Sequence, residues 1–516
     1  MDFDFINEAN LPKQANGMKI GAMEYRTVLV PNCRTLRKTT LDYLEAFAAN
    51  GGKVIFVGEA PTLEDAVPSE RGKKLAEKTS QIGWSEIRIL NALEDNREVD
   101  LRNEKGERTP NVLYQLREEA DCRWLFISHL NLVNNDYCAE RELHTLHLKG
   151  EYVPELWNTL DGSVTELAAE YKNGQTLVTL PLYCHDSVLL RLTKGRSTQL
   201  AVEPSEYEAV GFACVECDIE LAEPNVCLLD MPRYRINGGA WRDEEEILRI
   251  TDTVKSELNL HNDIAGGAQP WVFSGENDET ETVELEYTVN SAVSVENVCL
   301  ALEDVEKCEI TFNGKPVEKT VLGIYVDDSI QKIALGKLNE GKNIITIKKP
   351  CGPVTTFEAC YLLGDFGVEA YGCKTKITAP VRKLSFGDQT RQGLAFYGGN
   401  VTYKFKLDTA KDMKLAIKHF AQPLCTVAVD GKRIATVAIA PYEASFESVE
   451  PGEHEIEITA FGNRFNTFGA LHNADHNCKW HGPDSWRKEG ARWSCEYLLR
   501  PTGILSAPMI LKKAAE

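Results

Sequence analysis

Along the first sixty residues, apolar positions come as a block, then at helical spacing, then as a block again. The run YRTVLVP (25–31) is continuously apolar until Pro31 stops it. TLRKTTLDYLEAFAANGG (35–52) then places Leu41, Leu44, Phe47 and Ala48 on one helical face. Gly51 and Gly52 end that helix, and KVIFVG (53–58) resumes as a buried strand. The pattern predicts a β-α-β unit with parallel strands and a right-handed crossover. A helix over 71–81, a short strand at IRIL (87–90) and a helix at NVLYQLREE (111–119) extend it into an open α/β domain over 1–120.

From RWLFISHL (123–130) the period becomes two. The segments ELHTLHLKG, VTELAAEY, QTLVTLPLY and SVLLRLT are short and separated by turn signals such as TLDG and KNGQ, which predicts an antiparallel β-domain over 121–200. A linker region follows over 201–270, holding one helix at WRDEEEILRITDTVKSELNL (241–260). Its acid run, Asp243 to Glu246, reads as a solvated first helical turn that complements the dipole, or else as a cluster of catalytic carboxylates.

The second half repeats itself. VELEYTVNSAVSVENVCLALEDVEKCEITFNGKPV (283–317) and VTYKFKLDTAKDMKLAIKHFAQPLCTVAVDGKRI (401–434) share one order of elements. An alternating strand and a polar break lead to an apolar strand, then to a strand ending in Asn-Gly-Lys or Asp-Gly-Lys, whose turn pair supplies the positive φ angles of a tight hairpin. Two β-sandwiches are expected, over 271–380 and 381–516.

Charge narrows the partners. Lys and Arg number 57 against 78 Asp and Glu, a formal charge of −21, so nucleic acid or an anionic membrane would be repelled. The start, MDFDFINEANLPKQ, lacks the apolar core of a secretory signal, and no uncharged apolar run reaches the roughly 18 residues of a membrane span. Fifteen cysteines lie scattered, often in strand-like runs such as VENVCLAL. They read as reduced, buried thiols, and a cytoplasmic location is expected.

Several motifs fall short of the chemistry they imitate. GKLNEGKN (336–343) resembles a phosphate loop, but Asn343 replaces the magnesium-binding hydroxyl and the loop precedes a strand. CVEC (214–217) has no second pair, and in an extended strand Cys214 and Cys217 would point to opposite faces. Neither G-x-S-x-G nor H-E-x-x-H occurs. No metal and no cofactor are expected.

The stretch NRFNTFGALHNADHNCKWHGPDSWR (463–487) is denser in chemistry, and three readings of it stay open. His472, His476, Cys478 and His481 are zinc-ligand types. Trp480, Trp486 and Trp493 offer flat apolar faces while Arg464, Asn466, Asn473 and Asp484 offer hydrogen bonds, a mixture that suits the C–H faces and hydroxyl rims of a sugar. Asn473, Asp475, Asn477, Gly482 and Pro483 also make it a loop that could fold over the second sandwich.

The order of motifs resembles the C-terminal half of bacterial α-L-rhamnosidase-like glycoside hydrolases, with their family 2 type sugar-binding or galactose-binding-like sandwiches. The likeness is carried by residues 25–61, by LLDMPRYRINGGAW (228–241), and by FNGKPV with GIYVDDSIQKIALGKLNEGKNIITI (312–347). YLLGDFGVE (361–369), GLAFYGGNVTYKF (393–405), NRFNTFGALHNA with HGPDSWR, and WSCEYLLRPTGIL (493–505) continue it. The resemblance implies a multidomain α/β plus all-β chain: a flavodoxin-like (amidotransferase-like) α/β domain, an antiparallel β-domain and two galactose-binding-like β-sandwiches.

Such enzymes carry a catalytic (β/α)8 barrel ahead of these domains, and the chain begins at about the α/β domain. Glycoside hydrolysis ordinarily uses two carboxylates about 5–9.5 Å apart. The family's pair lies on the barrel, so no catalytic residue is carried over. The family's N-x-x-G-x-x-H element maps onto Asn466, Gly469 and His472. Carbohydrate contact is expected at Arg464, Asn466, His472, Asn473, Trp480, Trp486 and Trp493. The function expected is that of a non-catalytic portion or subunit of a glycoside hydrolase acting on plant or bacterial glycans, supporting a separately encoded barrel. A stand-alone carbohydrate-binding protein and a glycosidase with its own interdomain site are the alternatives.

Overall fold

A computed structural model describes residues 3–130, 141–184, 186–199, 206–260, 278–478, 482 and 485–514. The chain divides into two compact units, the first within residues 1–203 and the second within 204–516.

In the first unit, Thr27–Val30, Lys53–Val57 and Ser80–Ile82 form a parallel sheet with Lys53–Val57 at its centre. The helix Lys38–Ala49 buries Leu41, Leu44 and Phe47 in one core with Val54 and Phe56. Its end is set by two bonds, from the N–H of Gly51 to the Ala48 carbonyl and from that of Gly52 to the Phe47 carbonyl, with Gly51 at φ +87°. A Cβ on Gly52 would lie 2.2 Å from the Phe47 ring, so the second glycine is required by packing.

Two expectations fail in the next stretch. IRIL is not a strand but part of the helix Glu86–Leu93, a four-residue apolar run being too short to separate the two periods. Residues 111–119 are not a helix: Val112–Glu118 is a strand, antiparallel to Arg123–His129, because a hairpin partner stands four residues away and pairing outweighs local propensity. Two antiparallel sheets follow. Val99–Asn103, Glu142–Lys149, Gln175–Leu182 and Glu170–Lys172 form one, in that order. Val112–Glu118, Arg123–His129, Ser187–Lys194, Tyr152–Trp157 and Val164–Glu166 form the other, and Leu125, Ile127, Leu146, Val178 and Leu190 fill the core between them.

The second unit holds two β-sandwiches. In the first, the sheet Asn225–Leu229, Cys360–Gly364, Val295–Leu302, Asp327–Leu338 and Val321–Tyr325 shares one core with a larger sheet built on Gly341–Cys351 and Glu281–Ser291. In the second, Val401–Thr409, Gly452–Ala460 and Cys425–Val429 lie central, opposite a sheet of Tyr207–Phe212, Met509–Lys513, Met413–Ala416 and Glu443–Ser445. Both repeats close on hairpins with the expected backbone: Asn313 and Gly314 at φ +49° and +75°, Asp430 and Gly431 at +48° and +77°. The stretch 201–270 supplies strands to both sandwiches and the helix Ile247–Glu257, which packs Ile250 and Val254 into the first core.

Three local details differ from expectation or sharpen it. Glu246 is not solvated, being only 4% exposed and accepting from the N–H groups of Leu248 and Arg249 as helix cap. The strand Glu216–Leu221 begins after Cys214, so only Cys217 lies within it, buried with its thiol 3.7 Å from the Leu384 carbonyl. Asn343 lies buried just after the tight turn at Asn339–Glu340 and ties it down by donating to the Asn339 carbonyl at 2.7 Å. No disulfide joins any of the described cysteines, and no described helix is long and apolar enough to cross a membrane.

Candidate functional site

Among its described residues, the segment from Asn463 to Arg500 holds a one-turn helix, Phe465–Phe468, and a 3-10 turn, Gly490–Arg492. Backbone without regular partners must be bonded by side chains when it is buried, and that is what most of the polar residues here do. Gly462 opens the segment with a close backbone crossing: a Cβ there would lie 2.1 Å from the Gly398 carbonyl.

Asn466 is buried and reads one residue twice, its amide donating to the Arg500 carbonyl at 2.8 Å and accepting from the Arg500 N–H at 3.0 Å. Arg464 grips Glu223 with both terminal nitrogens, Nη2 to Oε2 at 2.8 Å. Asn473 donates to the Ser485 carbonyl at 2.9 Å, accepts from the Asp475 N–H at 2.8 Å, and is joined to Trp493 by a backbone bridge. Trp493 lies under the Arg249 guanidinium, 4.2 Å from it. Trp486 is 40% exposed. Trp480, with His481 and Asp484, lies outside the described residues. The structure thus gathers Asn473 with Trp493 and turns Asn466 inward, while Arg464 is committed to a different neighbour, Glu223.

His472 is the centre of a buried network. Nδ1 faces the Ser494 carbonyl at 2.9 Å and Nε2 faces Asp230 Oδ2 at 3.2 Å. Both ring nitrogens meet acceptors, which suits the doubly protonated ring and leaves no nitrogen for a metal. Tyr497 donates its hydroxyl to Asp230 Oδ1 at 2.5 Å. Desolvation pulls the His472 pKa down, but the Asp230 hydrogen bond and the charges of Asp230 and Glu246 outweigh it and the net shift is upward. Burial drives Glu246 well above the ordinary carboxylate range, with Asp230 adding to it and the helix N–H groups and His472 opposing. Burial and then Asp230 push the Tyr497 phenol far up as well. Asp230, Arg249 and Tyr497 were not legible as site residues, whereas Glu246 stood out only as the end of an acid run. MPRYRINGGAW follows Asp230, and nothing local ties that carboxylate to a histidine 242 positions away.

A groove of about 1010 Å³ runs between the two sandwiches. Four carboxylates line it, and each has its own cation: Glu220 with Lys404 at 2.9 Å, Glu223 with Arg464, Glu296 with Lys337 at 2.8 Å and Asp365 with Arg382 at 2.5 Å. The Lys404 ammonium holds Glu220 below its ordinary pKa. A general acid needs the opposite, a carboxyl whose pKa is raised where a substrate can reach it.

No protein-family model and no curated protein matches the chain. Among solved structures, a rhamnosidase from Novosphingobium sp. PP1Y is similar over 98% of this chain and 36% of its own, at 13% identity and a TM-score of 0.48. An α-L-rhamnosidase from Streptomyces avermitilis, complexed with L-rhamnose, covers 72% of this chain and 31% of its own at 11% identity and a TM-score of 0.19. An exo-carrageenase GH42 from Bacteroides ovatus covers 37% and 24% at 12% identity and 0.25. The chain therefore spans little more than a third of the length of the rhamnosidase it follows furthest, and the likeness is a loose one of fold.

Proposed function

We propose that this chain is the non-catalytic portion of a glycan-acting assembly, with a reduced flavodoxin-like domain at its start and two galactose-binding-like sandwiches at its end, supporting a (β/α)8 barrel carried on the same or a neighbouring polypeptide. The observation that carries the supporting role is an apolar helix face that none of the described residues buries. No residue of Glu86–Leu93 is buried, and Trp84 and Ile87 are 66% and 71% exposed, with Leu90 beside them at 40%. A helix keeps such a face for a partner rather than for water. The absence of catalysis is supported by the groove, whose carboxylates are all ion-paired, and by the sealing of Asp230 and Glu246 away from solvent. The sugar-binding expectation is kept for Arg464, Asn466, His472, Asn473, Trp480, Trp486 and Trp493, with Trp486 the most open of the described ones.

The test has two arms. Purified chain is assayed against a panel of nitrophenyl glycosides, and co-expressed with a glycoside hydrolase barrel encoded beside it. No turnover alone, and a 1:1 complex that Trp84→Asp dissolves, is the expected result. Turnover by the isolated chain, or a complex indifferent to Trp84→Asp, overturns it.

A further inference from the structure

The five-stranded sheet of the first unit packs one face on its core and turns the other to solvent. Alternation along Arg123–His129 buries Leu125 and Ile127 and leaves Trp124 and Phe126 on the outer side. Registration aligns these across the sheet. Phe126 pairs with Leu189, and Trp124 with Arg191, which pairs in turn with Glu155; Trp157, two residues on, stands on the same face. An apolar row of Phe126, Leu189 and Trp157 therefore runs across the strands beside a polar row of Arg191 and Glu155. Phe126 is 42% exposed and Trp157 is 36% exposed. The two indoles meet edge to face, with centroids 4.9 Å apart and planes at 81°.

We infer that this outer face is a carbohydrate-binding platform that takes a neutral oligosaccharide chain. A pyranose presents an apolar C–H face rimmed by hydroxyls, and the sheet presents the complement, aromatic plates with donors and acceptors one row away. Arg191 is held in position by Asp121 at 3.0 Å and Glu155 at 3.4 Å, and with Arg117 beside Trp124 and Glu166 beside Glu155 the polar row sets two cations against three acids, so it has no excess cation to attract an acidic polymer or an anionic bilayer. With strands about 4.8 Å apart, the row from Phe126 to Trp157 and on to the neighbouring Val164 spans roughly 14 Å, the length of an oligosaccharide rather than of one sugar. The inference rests on the proposed glycan-related role only for the class of ligand, and its surface is separate from the Trp84 face.

The experiment is affinity electrophoresis of the full chain in native gels containing xylan, galactan, arabinogalactan or hydroxyethylcellulose, with polygalacturonate as the acidic comparison. Retarded migration in at least one neutral polymer is expected, with Trp157→Ala and Phe126→Ala each weakening it about tenfold. Trp157→Phe should keep most of the retardation, and the variants should unfold at the wild-type temperature. No retardation in any neutral polymer overturns the inference, as does retardation unaffected by Trp157→Ala. Self-association dissolved by Trp157→Ala, read by sedimentation, overturns it in favour of a second copy on this face. Loss of retardation with an intact Trp84-dependent barrel complex would sink this site alone, and the reverse outcome would sink the supporting role alone.

Discussion

His472 Nε2 stands 3.2 Å from Asp230 Oδ2, joining residues that are 242 positions apart and both almost wholly buried. The contact pins the segment that precedes the last strand of the second sandwich to the strand end of the first. Removing the imidazole would leave the Asp230 carboxylate with one donor, Tyr497, and the Ser494 carbonyl with none from this ring. We expect His472→Ala to cost about 3–5 kcal/mol, the range for breaking a buried pair. A urea midpoint within error of wild type would contradict it.

The same network sets a pH dependence. Glu246 and His472 both have folded pKa values raised above their unfolded ones, so the native chain binds these protons more tightly. Their contribution is complete below about pH 4 for the glutamate and below about pH 6.5 for the histidine, and it is lost as pH rises through the folded values. The stability of wild type minus that of Glu246→Gln should therefore fall between pH 5 and pH 8. Urea unfolding at both values measures it, and a difference that does not change with pH is the opposing result.

Asn466→Ala should cost about 1–3 kcal/mol, because the part-buried N–H and carbonyl of Arg500 both lose their partner. Thermal unfolding reads the loss directly. If this asparagine acts only through the fold, glycan retardation of the folded variant will match wild type.

Gly52→Ala forces a methyl group into the Phe47 ring. Overpacking of this kind costs about 1–3 kcal/mol. Proteolysis of the first unit should quicken accordingly, whereas equal resistance would mean that the ring can swing aside.

Trp84→Asp and Ile87→Lys remove apolar surface that nothing in the described chain covers. Each should leave the stability of the isolated chain within about 0.5 kcal/mol. A large loss, measured by urea unfolding, would mean that this face is packed after all.

What the residue order alone determined is what neighbours a few positions apart can decide. The helix Lys38–Ala49 between two parallel strands, its Gly51–Gly52 ending, and the positive φ of Asn313–Gly314 and Asp430–Gly431 all follow from local spacing and backbone sterics. IRIL and residues 111–119 went the other way, because four apolar residues fit either period and a strand needs a partner that propensity does not name. Asn466 and His472 were legible as polar residues in a loop, but whether a polar group meets a ligand or a buried backbone depends on what lies opposite, and Arg500, Ser494 and Asp230 arrive there only when the chain closes. Alternation likewise puts Trp124 and Phe126 on one side of a strand. Only the packing of the second sheet on Leu125 and Ile127 makes that side the one that faces water.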